Sequence, residues 1–296
     1  MSWILIIAIA FFLNACATAI DKFLLNNKIS NPAVYAFIIS VLSLIALVLA
    51  PWGFHLAAAG QIALALVAGI IFTFALLYMF KAAAINEISR VTPFIGGTQP
   101  VFSLVLAIVI LGEWLNPASL FGIALLIAGT LIISWQKGKA TRKTYAFALF
   151  SSFLYALSYV LSKQVFNDQG FISGFVWTRL GAFVGALLLL FIPGTWQALR
   201  RQIINPQRQT GGLLLLGQIC GAVSAILVFY AISISPSVAI INASRGLEYV
   251  FLLLIVVMLS GKYPHLLEEK LTPKILLQKI AATALIVGGL IVLAIS

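Results

Sequence analysis

Apolar runs long enough to cross a bilayer follow one another along the whole chain, separated by short polar or Pro/Gly breaks. About 20 residues at a rise of ~1.5 Å each cover the hydrocarbon core. The breaks delimit ten candidate spans: 2–21, 32–50, 61–82, 91–111, 117–135, 144–163, 171–192, 211–233, 237–260 and 275–295. No connection is long enough for a separate soluble domain. The two longest loops, 194–210 and 261–274, have room for short interfacial helices.

The first run resembles a signal peptide in length, and Leu13-Asn14-Ala15-Cys16 superficially matches a cleavage box. It lacks a positive leading region and continues smoothly to Asp21-Lys22, so it reads as the first span. The fourth and fifth spans are joined by the hairpin Gly112-Glu113-Trp114-Leu115-Asn116-Pro117. Trp114 suits the membrane–water interface. Pro117 can open a helix, because the first turn needs no N–H from it. Gly122 and Gly129, seven residues apart, share one face of the fifth span. Small residues there let a second helix backbone approach closely.

A search for internal periodicity finds two halves. Phe12-Leu13-Asn14-Ala15 through Lys22 and Asn26 aligns without a gap on Phe153-Leu154-Tyr155-Ala156 through Lys163 and Asn167. Pro51 and Pro193 close the second and seventh spans. Ala282 and Gly289 stand roughly where Gly122 and Gly129 stand. These matches divide the chain into five-helix units at 1–135 and 144–296, joined by the basic loop 136–143. An odd number of spans makes the second unit start on the opposite side of the membrane. The expected fold is therefore an all-α polytopic membrane protein with ten transmembrane helices in two inverted five-helix repeats.

Composition agrees and removes other classes. The chain is 62% hydrophobic and 8% charged, whereas a soluble domain carries about 25% charged residues. The net charge of +11 would suggest nucleic acid on a soluble protein. Here the cations lie mostly in the first, third, fifth, seventh and ninth loops. Only Lys163 borders a loop on the other side, while Arg179 and Arg245 sit within spans. The positive-inside tendency makes the basic loops cytoplasmic and both termini external. Cys16 and Cys220 lie in apolar runs and read as packing residues.

No catalytic constellation emerges. His55 and His265 lie in different loops, and no metal-ligand, nucleotide-loop or cofactor motif occurs. The informative residues are ionisable groups inside spans, which cost at least about 2.5–3.5 kcal/mol at the bilayer centre and so face protein or water. Arg179 lies mid-way in the seventh span. Arg245 and Glu248 lie in the ninth, three residues apart and on one helical face. They form either a locking ion pair or part of a central cavity, with Arg179 available to an anionic group. Asn14, Tyr155, Tyr159, Gln218 and Asn242 add hydrogen-bonding groups, and Trp177 and Tyr78 are candidate aromatic walls. Lys22 and Lys163 end equivalent helices, as snorkelling residues or as gates. Pro93 and Pro100 bracket Gly96-Gly97, a combination that kinks a helix.

Pro100, the apolar run after it, Gly112-Glu113, Gly122 and Gly129 together resemble the EamA-type repeat of the drug/metabolite transporter superfamily. Arg179 is similar to an arginine common in the second helix of such repeats; its first-half counterpart is near Phe37. Glu248 falls opposite Pro100, and Gly261 falls where Glu113 has its equivalent, so the second half departs from the Gly-Glu turn. Family members commonly keep both termini cytoplasmic and carry basic residues in the second loop. That loop here, 51–60, carries only His55, so either the orientation is reversed or a span is miscounted.

The resemblance implies a secondary transporter in an inner or plasma membrane, without enzymatic activity. It moves a small polar metabolite through a midplane cavity. An amino acid or another carboxylate-bearing compound is the leading substrate, with export favoured over uptake. A proton or an exchange counter-substrate is the candidate coupling partner, in a monomer or homodimer embedded in the lipid bilayer, without nucleic acid. A lipid or lipid-linked substrate flippase and a membrane-embedded enzyme are the rival readings.

Overall fold

The computed structural model describes residues 2–24, 31–86, 88–133, 141–204, 211–260 and 273–295. Those residues are overwhelmingly helical, and no strand occurs among them. This is the expected answer to a bilayer, where a helix satisfies every backbone donor and acceptor within itself. Among the described residues, nine helices are long and apolar enough to cross a membrane, and Pro117–Ile132 forms a shorter apolar one. The chain is a polytopic membrane protein of about ten helices.

The first half contributes α1 (Ser2–Leu24), α2 (Pro32–Leu42), α3 (Ala59–Ile85), α4 (Ile88–Leu106) and α5 (Pro117–Ile133). The Asn31 side chain caps α2 by accepting from the Ala33 and Val34 N–H groups, with Pro32 at the first helical position. A 3₁₀ stretch, Ser43–Trp52, extends α2 and contains Pro51. Despite Pro100 and Gly96-Gly97, α4 remains helical throughout Ile88–Leu106. The irregularity comes later, as a π-helical turn at Ala107–Leu111 that ends on Gly112 in the left-handed region (φ 66°).

The second half contributes α6 (Arg142–Gln169), α7 (Phe171–Leu189), α8 (Thr195–Ile204), α9 (Gly211–Ile234), α10 (Val238–Ala243), α11 (Gly246–Ser260) and α12 (Pro273–Ile295). The ninth span, expected as one helix, is divided into α10 and α11 by a turn at Ser244–Arg245. There the Arg245, Leu247 and Glu248 N–H groups bond three residues back rather than four, the tighter 3₁₀ pattern that often marks a hinge. Arg245 therefore lies in the joint and Glu248 in the first turn of α11. Of the two expected interfacial segments, α8 occupies the first; the second, with His265, lies outside the described residues.

Two compact units form, and each draws helices from both sequence halves. The first comprises Met1–Asn27, Trp114–Lys137 and Arg208–Ser296; the second comprises Lys28–Glu113 and Gly138–Gln207. Within the first unit, α5 and α12 cross antiparallel at their glycines. A Cβ on Gly122 would lie 3.1 Å from the Gly289 carbonyl oxygen, and one on Gly129 would lie 2.9 Å from that of Ala282. The pairing is reciprocal: the early small residue of each helix meets the late one of the other. The Ser224 hydroxyl donates to the Ala10 carbonyl at 2.7 Å, joining α9 to α1.

Within the second unit, α3 is the central helix. The Ser151 and Ser158 hydroxyls of α6 donate to the Ala75 and Ala68 carbonyls at 2.8 Å each, which fixes α3 and α6 antiparallel. Gly69 meets the Thr178 backbone, Gly181 meets Leu66 and Gly185 meets Thr73, so α7 runs parallel to α3 at near backbone contact. Thr73 sits at the three-way junction, 2.9 Å from the Ser40 hydroxyl of α2 and donating to the Ala182 carbonyl of α7 at 2.9 Å.

These directions place the C-terminal end of α3, the N-terminal end of α6 and the exit of α7 together. That end carries Lys81, Arg142, Lys143, Arg200 and Arg201 and, among the described residues, no acid. The opposite end carries His55, Glu113, Lys163 and Asp168.

Candidate functional site

Each unit holds one cluster of costly polar side chains. In the second unit, Arg179 is buried at 4% exposure. Its guanidinium carbon lies 4.7 Å from the Phe72 ring centre and 5.0 Å from that of Phe175. Phe175 stands one turn before Arg179 on α7, and Phe72 comes from α3. Tyr155 and Tyr159 of α6 complete the aromatic set, with ring centres 5.6 and 6.4 Å from Phe72, and Tyr159 is in electrostatic range of Arg179. The two ring faces attract the cation through their quadrupoles and fix where its guanidinium lies.

In the first unit, Glu248 is buried at 4% exposure. The Thr18 hydroxyl donates to its Oε1 at 3.3 Å, and Asn14 hydrogen-bonds the same carboxylate. Asn14 and Thr18 lie four residues apart, on one face of α1. Arg245 is in electrostatic range from the α10–α11 joint. Phe12 stacks edge-on against Phe251 at 5.6 Å beside this cluster. Asn242, at the end of α10, is buried.

The remaining candidates have separate settings. Lys163 is buried rather than extended into solvent, and Glu113 of the Gly112 turn is its electrostatic neighbour. The Trp177 indole N–H reaches the His55 carbonyl at 3.5 Å, and its ring packs on Phe54 at 5.4 Å. Tyr78 packs edge-to-face with Phe150 at 4.7 Å, with the Lys81 ammonium 4.7 Å from its ring centre. Both aromatic rings are thus engaged by neighbours other than Arg179. Pro100 is buried within α4, and Gln218 is exposed on α9. The Lys22 side chain lies outside the described residues. A cleft of about 370 Å³ opens at one end of the first unit among Trp3, Asn116, Ile240 and Leu293, and neither Glu248 nor Arg245 lines it. Among the described residues no group of three or more His, Cys, Asp or Glu is arranged to hold a metal ion.

Phe72, Phe175 and Thr18 were absent from the sequence-derived set. Phe175 and Thr18 stand at helical spacing from Arg179 and Asn14, a signal that was available. Phe72 is brought in by tertiary packing alone.

Residues 1–135, ending just after the hairpin and glycines of α5, match the model of the EamA-like transporter family. The match covers just under half of the chain. It is 27% identical over 115 residues to a Listeria innocua protein named for a proposed role in sugar uptake. A similarly named protein of Listeria monocytogenes is 26% identical over 115 residues. Each match covers 36% of this chain and 40% of the relative. A solved crystal structure shares the fold, with a TM-score of 0.67 at 18% identity, over 99% of this chain and 96% of that one.

Proposed function

We propose that this EamA-like chain is a secondary transporter that moves a small carboxylate-bearing metabolite outward by alternating access between two inverted five-helix repeats, 1–135 and 144–296. The ring-clamped Arg179 carries this reading. Its position in a membrane span is costly, the Phe72 and Phe175 rings lie against its guanidinium, and a guanidinium matches the planar, two-oxygen geometry of a carboxylate. Glu248, with Arg245, Asn14 and Thr18 around it, is the second buried polar cluster. The joint between α10 and α11 resembles the interrupted helices at which transporter sites form.

The repeat reading draws support from matched contacts. Under the alignment of Phe12 with Phe153, Ala10 corresponds to Ser151. Each makes a serine-to-carbonyl bond with the third helix of the opposite half, Ala10 with Ser224 and Ser151 with Ala75.

Proteoliposome flux with panels of amino acids, other organic acids, neutral sugars and cationic drugs tests this. A carboxylate should be carried. Arg179→Ala should raise the concentration for half-maximal flux about tenfold or more, the value of one charge-assisted hydrogen bond. Flux unchanged in both Arg179→Ala and Glu248→Gln would remove the site. A neutral sugar is the second reading, favoured by the names of the Listeria relatives. Selective sugar flux that is indifferent to Arg179→Ala would select it.

A further inference from the structure

α8 is unlike the other helices, because it is short, polar on average and carries its arginines on the outside. Thr195 and Leu199, four residues apart, are buried, and α8 packs against α2. Trp196, Gln197, Arg200 and Arg201 are exposed. Trp196 is 61% exposed, and Phe191 in the preceding turn is 83% exposed. Arg200 stands one turn beyond Trp196 on the same stripe, with Arg201 beside it, and both are exposed.

A helix bathed in water has no use for an exposed indole and phenyl at its start. A helix lying at the bilayer boundary does: aromatic rings settle at headgroup depth, and arginines one turn away meet phosphates. The helix sits at the end of the second unit where Lys81, Arg142 and Lys143 also gather. No acid is among the described residues there to pair with these cations or repel a bound anion.

We propose that α8 is a docking site for anionic phospholipid headgroups, with Trp196 and Phe191 setting the depth and Arg200 and Arg201 binding the phosphate and the net negative charge. The guanidinium fork suits phosphate geometry, and each basic side chain near an anionic surface adds to the attraction. The site is independent of the substrate assignment, since it uses no residue of either polar cluster.

The test uses the full chain in nanodiscs containing equal phosphatidylcholine and phosphatidylglycerol, released for native mass spectrometry. The wild type should retain phosphatidylglycerol preferentially. Arg200→Gln with Arg201→Gln should lower that preference by roughly tenfold to thirtyfold, the factor for two basic contacts with an anionic surface. Arg142→Gln with Lys143→Gln, at the same end but on α6, should leave most of it. Quenching by headgroup-proximal brominated phosphatidylglycerol should be strong in the wild type and lose a component in Trp196→Phe. Equal retention of both lipids by the wild type, or an unchanged preference in the α8 double variant, overturns the proposal. So does quenching that is identical with and without Trp196.

Discussion

At the residue scale the main question is what makes a buried charge tolerable. Glu248 has the Thr18 hydroxyl at 3.3 Å and Asn14 on one face of α1, with Arg245 nearby. Hydrogen bonds to a charged group are worth about 1.5–3 kcal/mol, because the alternative is an unsatisfied buried ion. Thr18→Val should therefore lower thermal stability by about that amount. Combined with Glu248→Gln, the loss should be smaller than the sum of the two single variants, since one interaction is removed twice. Additive losses in a thermal-melt double-mutant cycle would mean that the bond contributes nothing. Arg179 is tolerated differently, through two ring faces. Cation–π contacts reach about 2 kcal/mol when desolvated, so Phe72→Leu should destabilise by roughly that amount plus a small packing loss. In an Arg179→Leu background most of this cost should vanish, leaving the packing difference alone.

At the element scale, packing depends on where side chains are missing. Glycines at α3–α7 and α5–α12 let backbones approach so closely that a methyl group has no space. Gly129→Ala puts a carbon 2.7 Å from Ile286 and 2.9 Å from a backbone oxygen. It should cost about 1–3 kcal/mol, the usual range for overpacking. Gly69→Ala should cost more, because its neighbours are the Thr178 and Ala182 backbones, which cannot rotate away. Thermal melts of the two variants in detergent check the order; Gly69→Ala as mild as Gly129→Ala would contradict it. The glycines of α5 were legible in the sequence, because their spacing and hairpin position have a packing meaning. The joint at Ser244–Arg245 was not, since Pro236 opens the span rather than interrupting it and the only punctuation at the joint is Gly246. Thr130 and Ile286 pack against Gly246 so closely that a Cβ there would collide with them, a contact made between residues far apart in sequence. Around Pro100 the chain stays helical from Ile88 to Leu106, and a π turn follows at Ala107–Leu111.

At the scale of the whole molecule, span length and loop charge are readable because the bilayer enforces them on every helix. Pairing between halves is not, because it is decided by side chains far apart in sequence. The internal match of Phe12 with Phe153 indicated a duplication, and the units then turned out to mix helices of both halves: α1 with α9, and α6 with α3. Directions within the second unit gather Lys81, Arg142, Lys143, Arg200 and Arg201 at one end, away from Glu113 and Asp168. Cations near span ends resist translocation, whereas acids contribute little to orientation. The basic end should therefore face the cytoplasm. With helices alternating from there, Ser296 and the N-terminus should lie outside. A dual reporter, active as phosphatase outside and fluorescent inside, should give a phosphatase signal when fused after Ser296. Inserted at 136–143, it should fluoresce. A fluorescent signal at Ser296 would reverse this assignment. Neutralising Arg142, Lys143, Arg200 and Arg201 together should shift part of the population toward that inverted signal, because these charges are the physical cause to which the orientation is assigned. If orientation is wholly unmoved by that change, it is fixed elsewhere in the chain.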